Sequence, residues 1–387
     1  MTKLEELIQK LCPNGVEHKP LNEVSEMKRG TSITKKDIVE GEIPVVSGGR
    51  EPAYYCDKYN RDGETITVAG SGAGAGYVQY WTKPIFVCDA FSIQGNPGIQ
   101  TKYIYYFLTN IQDYIYSTKK GGGVPHVHIS SIENVSVPVP PLPVQREIVR
   151  ILDNFTELTA ELTAELTAEL TARKKQYAYY RDKLLSTNNS SVPVVELRDI
   201  VKKSCSGATP AKGNAEYYEN GTIPWIRTQD VRFNEITEVN SYITEKAVSE
   251  TATKWIPENC VIVAISGATA GRCAINKIKA TTNQHCLNLI IDDSMALYRY
   301  VFHCLCSKYE ELISRKQGAR GDLNSSLILS LPIPIPSLEV QKRLVEVLDN
   351  FDAICSDLKI GLPAEIEARQ KQYEYYRDKL LTFTPAD

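Results

Sequence analysis

Long apolar runs and a secretory signal are both missing from this sequence. No stretch approaches the roughly 18 consecutive apolar residues that a transmembrane helix needs. The first residues, MTKLEELIQKLCPNG, carry charge from the third position onward and have no apolar core. Hydrophobic residues nevertheless make up 42% of the 387 positions, which argues against a disordered chain. We therefore expect a folded cytoplasmic protein with no membrane partner.

Cysteine is sparse, and it lacks the spacing of a metal site. The chain has 10 cysteines, with no CxxC pair and no histidine at zinc-ligand spacing. The one close pair, Cys304 and Cys306, lies in an apolar run. The sequence therefore predicts reduced thiols that are mostly buried.

Motifs that mark common catalytic centres are absent as well. The sequence has no P-loop, no GxSxG elbow, no HExxH pair and no D/N-P-P-Y/F methyltransferase motif. The glycine-rich loop 70–76 fails the dinucleotide fingerprint because Ala75 replaces its third glycine, so we interpret it as a tight turn. His126 and His128 alternate along an extended stretch without a third metal ligand. These absences predict a non-catalytic chain that binds no cofactor or metal itself.

The basic excess that is typical of DNA-binding domains is also missing. Lys and Arg number 44 against 47 Asp and Glu, so the net charge is −3. Charge alone would not hold such a chain tightly on DNA. If the chain binds DNA, we expect partner subunits to supply much of the contact with phosphates.

What the sequence does contain is an internal repeat at a spacing of 196 residues. VQREIVRILDNF and RKKQYAYYRDKLL in the first half return as VQKRLVEVLDNF and RQKQYEYYRDKLL in the second. Each copy follows a proline-rich strip, at 137–143 and 331–337. A duplicated chain of this kind predicts a molecule with pseudo-two-fold symmetry.

The repeated segments have the apolar spacing of long helices. Apolar residues recur alternately every four and three positions, which is a heptad seam. In the first copy, residues 159–170 repeat Thr-Ala-Glu-Leu three times, a run of mostly good helix formers. Gly361 and Pro363 predict a kink or break in the second copy. Two equivalent helices with such seams are expected to pack against each other antiparallel.

The regions between the helices predict mixed α and β structure. Strands are expected at 65–69 and 77–81, on either side of the first glycine-rich loop, and at 260–265 before the similar loop 266–271. Amphipathic helices are expected at 103–116 and 296–313. The predicted fold class is therefore α+β, with mixed globules at 1–143 and 187–337 and long helices at 144–186 and 338–387.

The order of these features resembles the DNA-specificity subunits of type I restriction–modification enzymes. PPLPVQREIVRILDNF and YYRDKLL carry the resemblance, and the Thr-Ala-Glu-Leu repeats resemble one branch of that family. The resemblance implies two target-recognition domains, each reading one half of a bipartite, asymmetric site in double-stranded DNA. The helices would form a coiled-coil spacer between the two domains. The resemblance also implies partner subunits. Two methyltransferase subunits would use S-adenosylmethionine, and up to two motor/nuclease subunits would use ATP and magnesium.

The candidate DNA-binding residues are polar or basic side chains in the two variable regions, because such groups reach base edges and phosphates. In the first region they are Thr34, Lys35, Arg50, Ser71, Lys119, Lys120, His126 and His128, and in the second Arg227, Gln229, Arg232, Ser266, Thr269, Arg272, Lys316, Arg320 and Asn324. On the helices, two equivalent sets are candidates either for helix–helix packing or for binding a methyltransferase: Tyr177, Tyr180 and Leu184, with Tyr373, Tyr376 and Leu380.

Two other functions are compatible with the same sequence. A duplicated coiled-coil scaffold with protein-binding globules would need no DNA, and an enzyme could use the glycine-rich loop. Only a modular reader of DNA predicts that exchanging residues 20–136 changes one half of a recognised sequence. The number of tetrapeptides is further expected to set the unread spacer, since one repeat adds about 6 Å and ~40° of rotation.

Overall fold

A computed structural model describes residues 2–33, 39–121, 123–186, 191–315, 322–356 and 361–386. The chain divides into two units, each of which combines sequence-distant segments. Unit 1 comprises Met1–Leu166 and Glu365–Asp387, and unit 2 comprises Thr167–Ala364. Each unit therefore holds one predicted globule together with the beginning of one long helical segment and the end of the other.

Helices and strands alternate through both units. The helices are α1 (Lys3–Leu11), α2 (Leu21–Val24), α3 (Thr101–Asn110), α4 (Gln112–Ser117), α5 (Leu142–Leu184), α6 (Glu245–Glu250), α7 (Tyr298–Ser307), α8 (Tyr309–Ser314), α9 (Ser325–Leu329), α10 (Leu338–Ser356) and α11 (Leu362–Leu381). The strands of unit 1 are β1 (His18–Pro20), β2 (Ser25–Arg29), β3 (Ile43–Val46), β4 (Tyr54–Cys56), β5 (Thr65–Ala69), β6 (Val78–Trp81), β7 (Phe86–Val87), β8 (Ala90–Gly95) and β9 (Ser136–Pro138). The strands of unit 2 are β10 (Val194–Glu196), β11 (Val201–Ser206), β12 (Ile223–Ile226), β13 (Glu235–Ile236), β14 (Tyr242–Ile243), β15 (Trp255–Ile256), β16 (Val261–Ala264), β17 (Cys273–Asn276), β18 (Ala280–Thr282), β19 (Cys286–Ile291) and β20 (Pro332–Pro334).

The sheets of the two units follow related orders. In unit 1 the orders are β2-β8-β5-β6 and β4-β3-β7, and in unit 2 they are β11-β19-β16-β17-β13 and β14-β12-β18-β15. In both units the second sheet contains one parallel pair, β3 with β7 and β12 with β18. Short pairs β1-β9 and β10-β20 tie the start of each globule to the strip that precedes α5 or α10. The mixed α/β prediction is confirmed in both units.

Each unit has its own apolar core between a sheet and the helices. In unit 1, Ile66 and Ile93 from the sheet pack with Ile104 from α3 and Leu152 from α5. In unit 2, Val263, Leu305 and Leu348 play the corresponding roles on β16, α7 and α10. Fully buried aliphatic side chains of this size each stabilise a fold by about 1.5–3 kcal/mol.

Identical residues of the repeat make identical contacts. Gln145 Oε1 accepts from Gln100 N (2.9 Å) and its Nε2 donates to Pro140 O (2.8 Å). Gln341 makes the same pair of bonds with Leu297 N and Pro336 O, both at 2.9 Å. Both glutamines are buried, so their amides satisfy backbone groups that water cannot reach.

A second repeated residue is the aspartate of the LDNF motif. Asp153 accepts from Tyr106 Oη (2.5 Å) and pairs with Lys102 Nζ (2.8 Å). Its counterpart Asp349 accepts from His303 Nε2 (2.7 Å) and Arg299 Nε (2.8 Å). The repeated aspartate thus anchors the preceding helix in each unit: Asp153 holds α3 and Asp349 holds α7.

The long helices and the strands beside the glycine-rich loops lie close to where the sequence predicts them. α5 begins at Leu142, two residues upstream of the predicted start at 144. The second long segment is broken as predicted: α10 ends at Ser356 and α11 begins at Leu362. β5, β6 and β16 match the predicted strands to within a residue at each end.

Two of the helix predictions were wrong, because each segment predicted as one helix forms two consecutive helices. The segment 103–116 divides into α3 and α4 at Ile111, and 296–313 divides into α7 and α8 at Lys308. Both residues adopt φ near −100° and a small positive ψ, which no α-helix continues. In unit 1, Gln112 turns away to bind Gly76 O (2.8 Å) and Val78 N (3.1 Å). Contacts with the distant glycine-rich loop therefore accompany the break.

All ten cysteines carry free thiols, and Cys88 and Cys205 alone among them are only half-buried. Burial raises the pKa of Cys260 and of Cys286 to about 12, so both remain protonated thiols at neutral pH. Among the described helices, none combines the length and apolarity that crossing a membrane requires.

Candidate nucleic-acid interface

In unit 1 the glycine-rich loop is held against the loop that contains the two histidines. Gly72 N donates to Pro125 O and Val127 N donates to Gly70 O, both at 3.0 Å. Lys120 and His126 exchange two backbone hydrogen bonds, of 2.9 and 2.8 Å. These bonds bring Ser71, Lys120 and His126 to one surface, and all three are among the predicted DNA-binding residues.

Glycine is required where these loops meet neighbouring backbone. A Cβ on Gly74 would lie 2.4 Å from Gly48 O, and one on Gly48 would lie 2.1 Å from Ser71 O. Gly72 and Gly76 have φ of +80° and +84°, which side-chain-bearing residues rarely adopt. The prediction of a tight turn with close backbone approach is therefore confirmed.

Polar side chains line a cavity beside this turn. The imidazoles of His126 and His128 stack with centroids 6.0 Å apart and planes 4° apart. They share the cavity with Arg29 and Asp89, and Asp89 Oδ2 accepts from Ser71 Oγ. Arg29 and Asp89 were not predicted; Asp89 directly precedes β8, and only the folded loops bring it to the histidines. Two further predicted residues lie on aromatic faces, Arg50 on Tyr77 at 5.1 Å and Lys119 on Tyr116 at 4.2 Å.

Unit 2 repeats the arrangement with different residues. The turn Gly267–Thr269, with Ser266 and Arg272 on either side, packs against the turn Thr228–Asp230. Arg227 precedes the second turn, and its backbone N donates to Asp230 Oδ2 at 2.8 Å. Gln229 and Arg232 belong to the same loop, where Arg232 Nε donates to Gln229 O at 2.6 Å. Leu323 N donates to Ile265 O (2.7 Å), which ties the segment before α9 to the glycine-rich loop.

A cavity in unit 2 lies at the ends of β12 and β18. Arg227 lines it, and the guanidinium Nε is buried without a hydrogen-bond partner. Other lining residues, which were not predicted, are Lys212, Trp225, Tyr242, Gln284 and His285. No Asp or Glu is among the described lining residues, so the cavity suits an electronegative group such as a base edge or a phosphate.

The remaining predicted residues divide into two sets. Asn324 caps α9, accepting from Ser326 N at 2.9 Å, so its side chain has a structural role. Thr34, Lys35, Lys316 and Arg320 lie outside the described residues. Among the residues that are described, no cluster of three or more His, Cys, Asp or Glu could hold a metal ion.

The helix candidates split between packing and exposure. Tyr177 Oη lies 3.4 Å from His303 Nδ1, and burial raises the pKa of this phenol. Tyr373 Oη lies 3.1 Å from Thr156 Oγ1, and Leu380 packs against the core of unit 1. Tyr376 stacks on Phe155, and Tyr180 packs on Phe351 with the two ring planes inclined by 35°. Both tyrosines and Leu184 remain partly exposed, at 39%, 41% and 43% for Tyr376, Tyr180 and Leu184.

Comparison with known proteins decides the family. Residues 13–172 and 189–368 match the type I restriction modification DNA specificity domain. The chain belongs to this family. The EcoR124I/EcoR124II specificity subunit of Escherichia coli is 39% identical over 73% of this chain and 70% of its own length. A Haemophilus influenzae protein, provisionally named type I restriction enzyme specificity subunit S.HindORF215P, is 30% identical over 99% of both chains.

Solved structures support the same fold. A chain from a study of complex assembly and conformational transition of the type I R-M system aligns with a TM-score of 0.71 at 17% identity, covering 95% of this chain and 98% of that one. The HsdS subunit from Thermoanaerobacter tengcongensis aligns with a TM-score of 0.56 at 17% identity, covering 96% and 97%. At this identity the likeness shows the fold alone.

Proposed function

We propose that this chain is the sequence-reading, non-catalytic subunit of a type I restriction–modification complex, acting on double-stranded DNA in the cytoplasm. One observation carries the proposal. In both units polar loops surround a glycine-rich turn, and the long helices of the two units make equivalent contacts with their own globules. Identical anchors with different loop residues suit a molecule that reads two different half-sites.

The arrangement we propose joins the two target-recognition domains by an antiparallel coiled-coil spacer. The contacts within each unit support this pairing. In unit 1, Phe155 meets Tyr376 and Thr156 meets Tyr373, so the numbering rises along one helix as it falls along the other. In unit 2, Tyr180 meets Phe351, which is the same pair displaced by 196 residues with the roles of the two helices exchanged.

Partner subunits would supply the chemistry. Two methyltransferase subunits would bind S-adenosylmethionine and methylate adenine, and up to two motor/nuclease subunits would use ATP and magnesium. The near-neutral charge of this chain is the reason to expect that its partners provide much of the phosphate contact.

A domain exchange tests the proposal. Residues 20–136 are replaced by the matching region of another family member, the chain is co-expressed with its methyltransferase, and methylated adenines are mapped by sequencing. We expect one half of the methylated site to change and the other to stay the same. A change in both halves would contradict modular reading, and a change in neither half would favour the scaffold alternative.

A further inference from the structure

In both units a backbone hydrogen bond fixes a residue just after the parallel strand pair. In unit 1, Gly70 N donates to Asp89 O at 3.0 Å. In unit 2, Ile265 N, at the same point of its glycine-rich loop, donates to His285 O at 2.9 Å. Each acceptor directly precedes the next strand, β8 or β19. Asp89 and His285 therefore occupy equivalent positions in the two folds.

The chemistry at this place differs between the units. Asp89 gives unit 1 a carboxylate acceptor, beside Arg29 and the two histidines. In unit 2, His285 stands in place of the carboxylate, and Arg227, which directly follows β12, adds a guanidinium. A phosphate is the same at every step of a DNA duplex, so a phosphate-binding site gains nothing by changing between two half-sites. A site that differs in this way is of the kind expected to read bases.

The guanidinium of Arg227 has donors that the described part of the chain leaves unused. Its Nε is buried without a hydrogen-bond partner, and no described carboxylate pairs with it. Asp230 Oδ2 accepts instead from the backbone N of Arg227, at 2.8 Å. A buried donor without an acceptor destabilises a fold. Arg227 is therefore expected to meet an acceptor from a bound molecule.

The side chains around Arg227 are themselves held in place. Cζ of Arg227 lies 6.0 Å from the ring centroid of Trp225, which is buried. Gln284 Oε1 accepts from Thr209 Oγ1, and Gln284 Nε2 lies 3.2 Å from His285 Nε2. Lining side chains that are already immobilised lose little further freedom on binding, so the cavity favours a ligand with a fixed pattern of acceptors.

We propose that Arg227 is a specificity-determining residue, which reads one guanine in the half-site bound by unit 2. Guanine presents two acceptors, O6 and N7, along its major-groove edge, and the fork of an arginine donates to both. Nε and one Nη of Arg227 make these two bonds. Lysine lacks the planar fork and cannot replace arginine in such a contact. This inference rests on the proposed function, since unit 2 must bind DNA for Arg227 to act.

The first experiment maps methylated adenines for Arg227→Lys in the full complex with its methyltransferase. The half-site of unit 2 is the half that stays the same when residues 20–136 are exchanged. Arg227→Lys is expected to accept other bases in place of one guanine of that half-site and to leave every other position unchanged. Arg198→Lys is the matched control and should keep the wild-type site, since Arg198 is exposed in unit 2 and pairs with Glu196 at 2.7 Å. An unchanged site for Arg227→Lys, relaxation at a position other than a guanine, or a half-site without guanine on either strand would overturn the inference.

The second experiment needs no methylation and separates a base contact from a phosphate contact. Duplexes with 7-deazaguanine, which lacks the N7 acceptor, at single guanines of the half-site are titrated with the wild-type complex and with Arg227→Ala. One such replacement is expected to weaken wild-type binding about tenfold and to leave the binding of Arg227→Ala unchanged. If the alanine variant fails to assemble, Arg227→Lys takes its place. Wild-type binding that is insensitive at every guanine would rule the contact out, as would equal sensitivity in the variant, which is the result that a phosphate contact gives.

The inference and the proposed function fail separately. A domain exchange that changes neither half of the methylated site counts against the proposed function. A domain exchange that succeeds, with a site that Arg227→Lys leaves unchanged, refutes the reading of guanine by Arg227 alone.

Discussion

The ring of Phe155 stacks on that of Tyr376, with centroids 5.8 Å apart and planes inclined by 18°. Phe351 and Tyr180 form the equivalent contact in unit 2, with centroids 6.3 Å apart. Each pair joins the beginning of one long helical segment to the end of the other. The duplicated sequence therefore makes equivalent ring–ring contacts in the two units. Each contact joins two helical segments within its own unit.

Removing one phenylalanine should loosen one unit only. Phe155→Ala removes a ring–ring contact worth about 0.5–1.5 kcal/mol beyond its buried area. We expect faster hydrogen exchange in the segment around Tyr376 and no change around Tyr180, measured by mass spectrometry. Phe351→Ala is the matched control and should give the opposite pattern. Faster exchange in both segments from either variant would contradict independent contacts.

The buried glutamines should be more important to stability than their exposed neighbours. Gln145→Ala leaves Gln100 N and Pro140 O without their partner, and each unsatisfied buried group costs about 1–3 kcal/mol. We expect the thermal unfolding of unit 1 to begin at lower temperature, as measured by calorimetry. Arg146→Ala changes an exposed residue on the same helix and should leave unfolding unchanged. Gln341→Ala should act in the same way on unit 2.

The stability of unit 2 should depend on pH through Asp349. Burial raises the pKa of this carboxyl, but hydrogen bonds from His303 and Arg299 outweigh burial and hold the pKa below its ordinary value. A lowered native pKa means that the stabilisation is complete above the unfolded pKa of about 3.9 and is lost as pH falls through the native one. Urea unfolding at pH 5 and pH 3 checks this. Between the two pH values, the free energy of unfolding should fall more for the wild-type chain than for Asp349→Asn.

Asp349→Asn should also lower the free energy of unfolding of unit 2 at neutral pH. Asp349→Asn replaces charge-assisted hydrogen bonds from Arg299 and from His303, which is 1% exposed, with weaker ones to a neutral amide oxygen. We expect unit 2 to lose about 1.5–3 kcal/mol at pH 7. An unchanged unfolding midpoint at pH 7 would show that Asp349 does not anchor α7.

The number of Thr-Ala-Glu-Leu repeats should set the unread spacer of the DNA site. Deleting residues 159–162 shortens α5 by about 6 Å and rotates its ends by ~40°, close to the 34–36° of one base pair. Within the proposed complex, we expect a shorter spacer between unchanged half-sites, read from methylated adenines. Replacing 159–162 by four alanines preserves the length and should preserve the spacer. A deletion variant that methylates the original spacing would refute the hypothesis.

The features that the sequence predicted are those marked by the internal repeat, by apolar periodicity or by glycine and proline. The 196-residue offset located both long helices, and Gly361 with Pro363 located the break between α10 and α11. The glycine-rich turns were predicted because glycine adopts a positive φ, such as that of Gly72 and Gly76, without the strain that a Cβ adds.

Features that depend on distant partners could not be predicted in this way. The break at Ile111 accompanies packing of Gln112 onto a loop far away in sequence, and Tyr309, which follows the break at Lys308, packs against the ring of Phe233. The cavity of Arg227 forms only when the ends of β12 and β18 lie side by side in a parallel pair. One local signal was overlooked: Thr2 and Glu5 form a capping box, which marks the start of α1.

Each unit is built from the start of one helical segment and the end of the other, and this has a consequence for how new specificities arise. The residues that make the shared contacts, such as Gln145, Asp153 and Phe155, are the ones that recur 196 positions later. Genetic recombination between these near-identical stretches would exchange or reshuffle whole globules. The recombinant chain would keep the same helix contacts in both units while carrying a new pair of recognition loops.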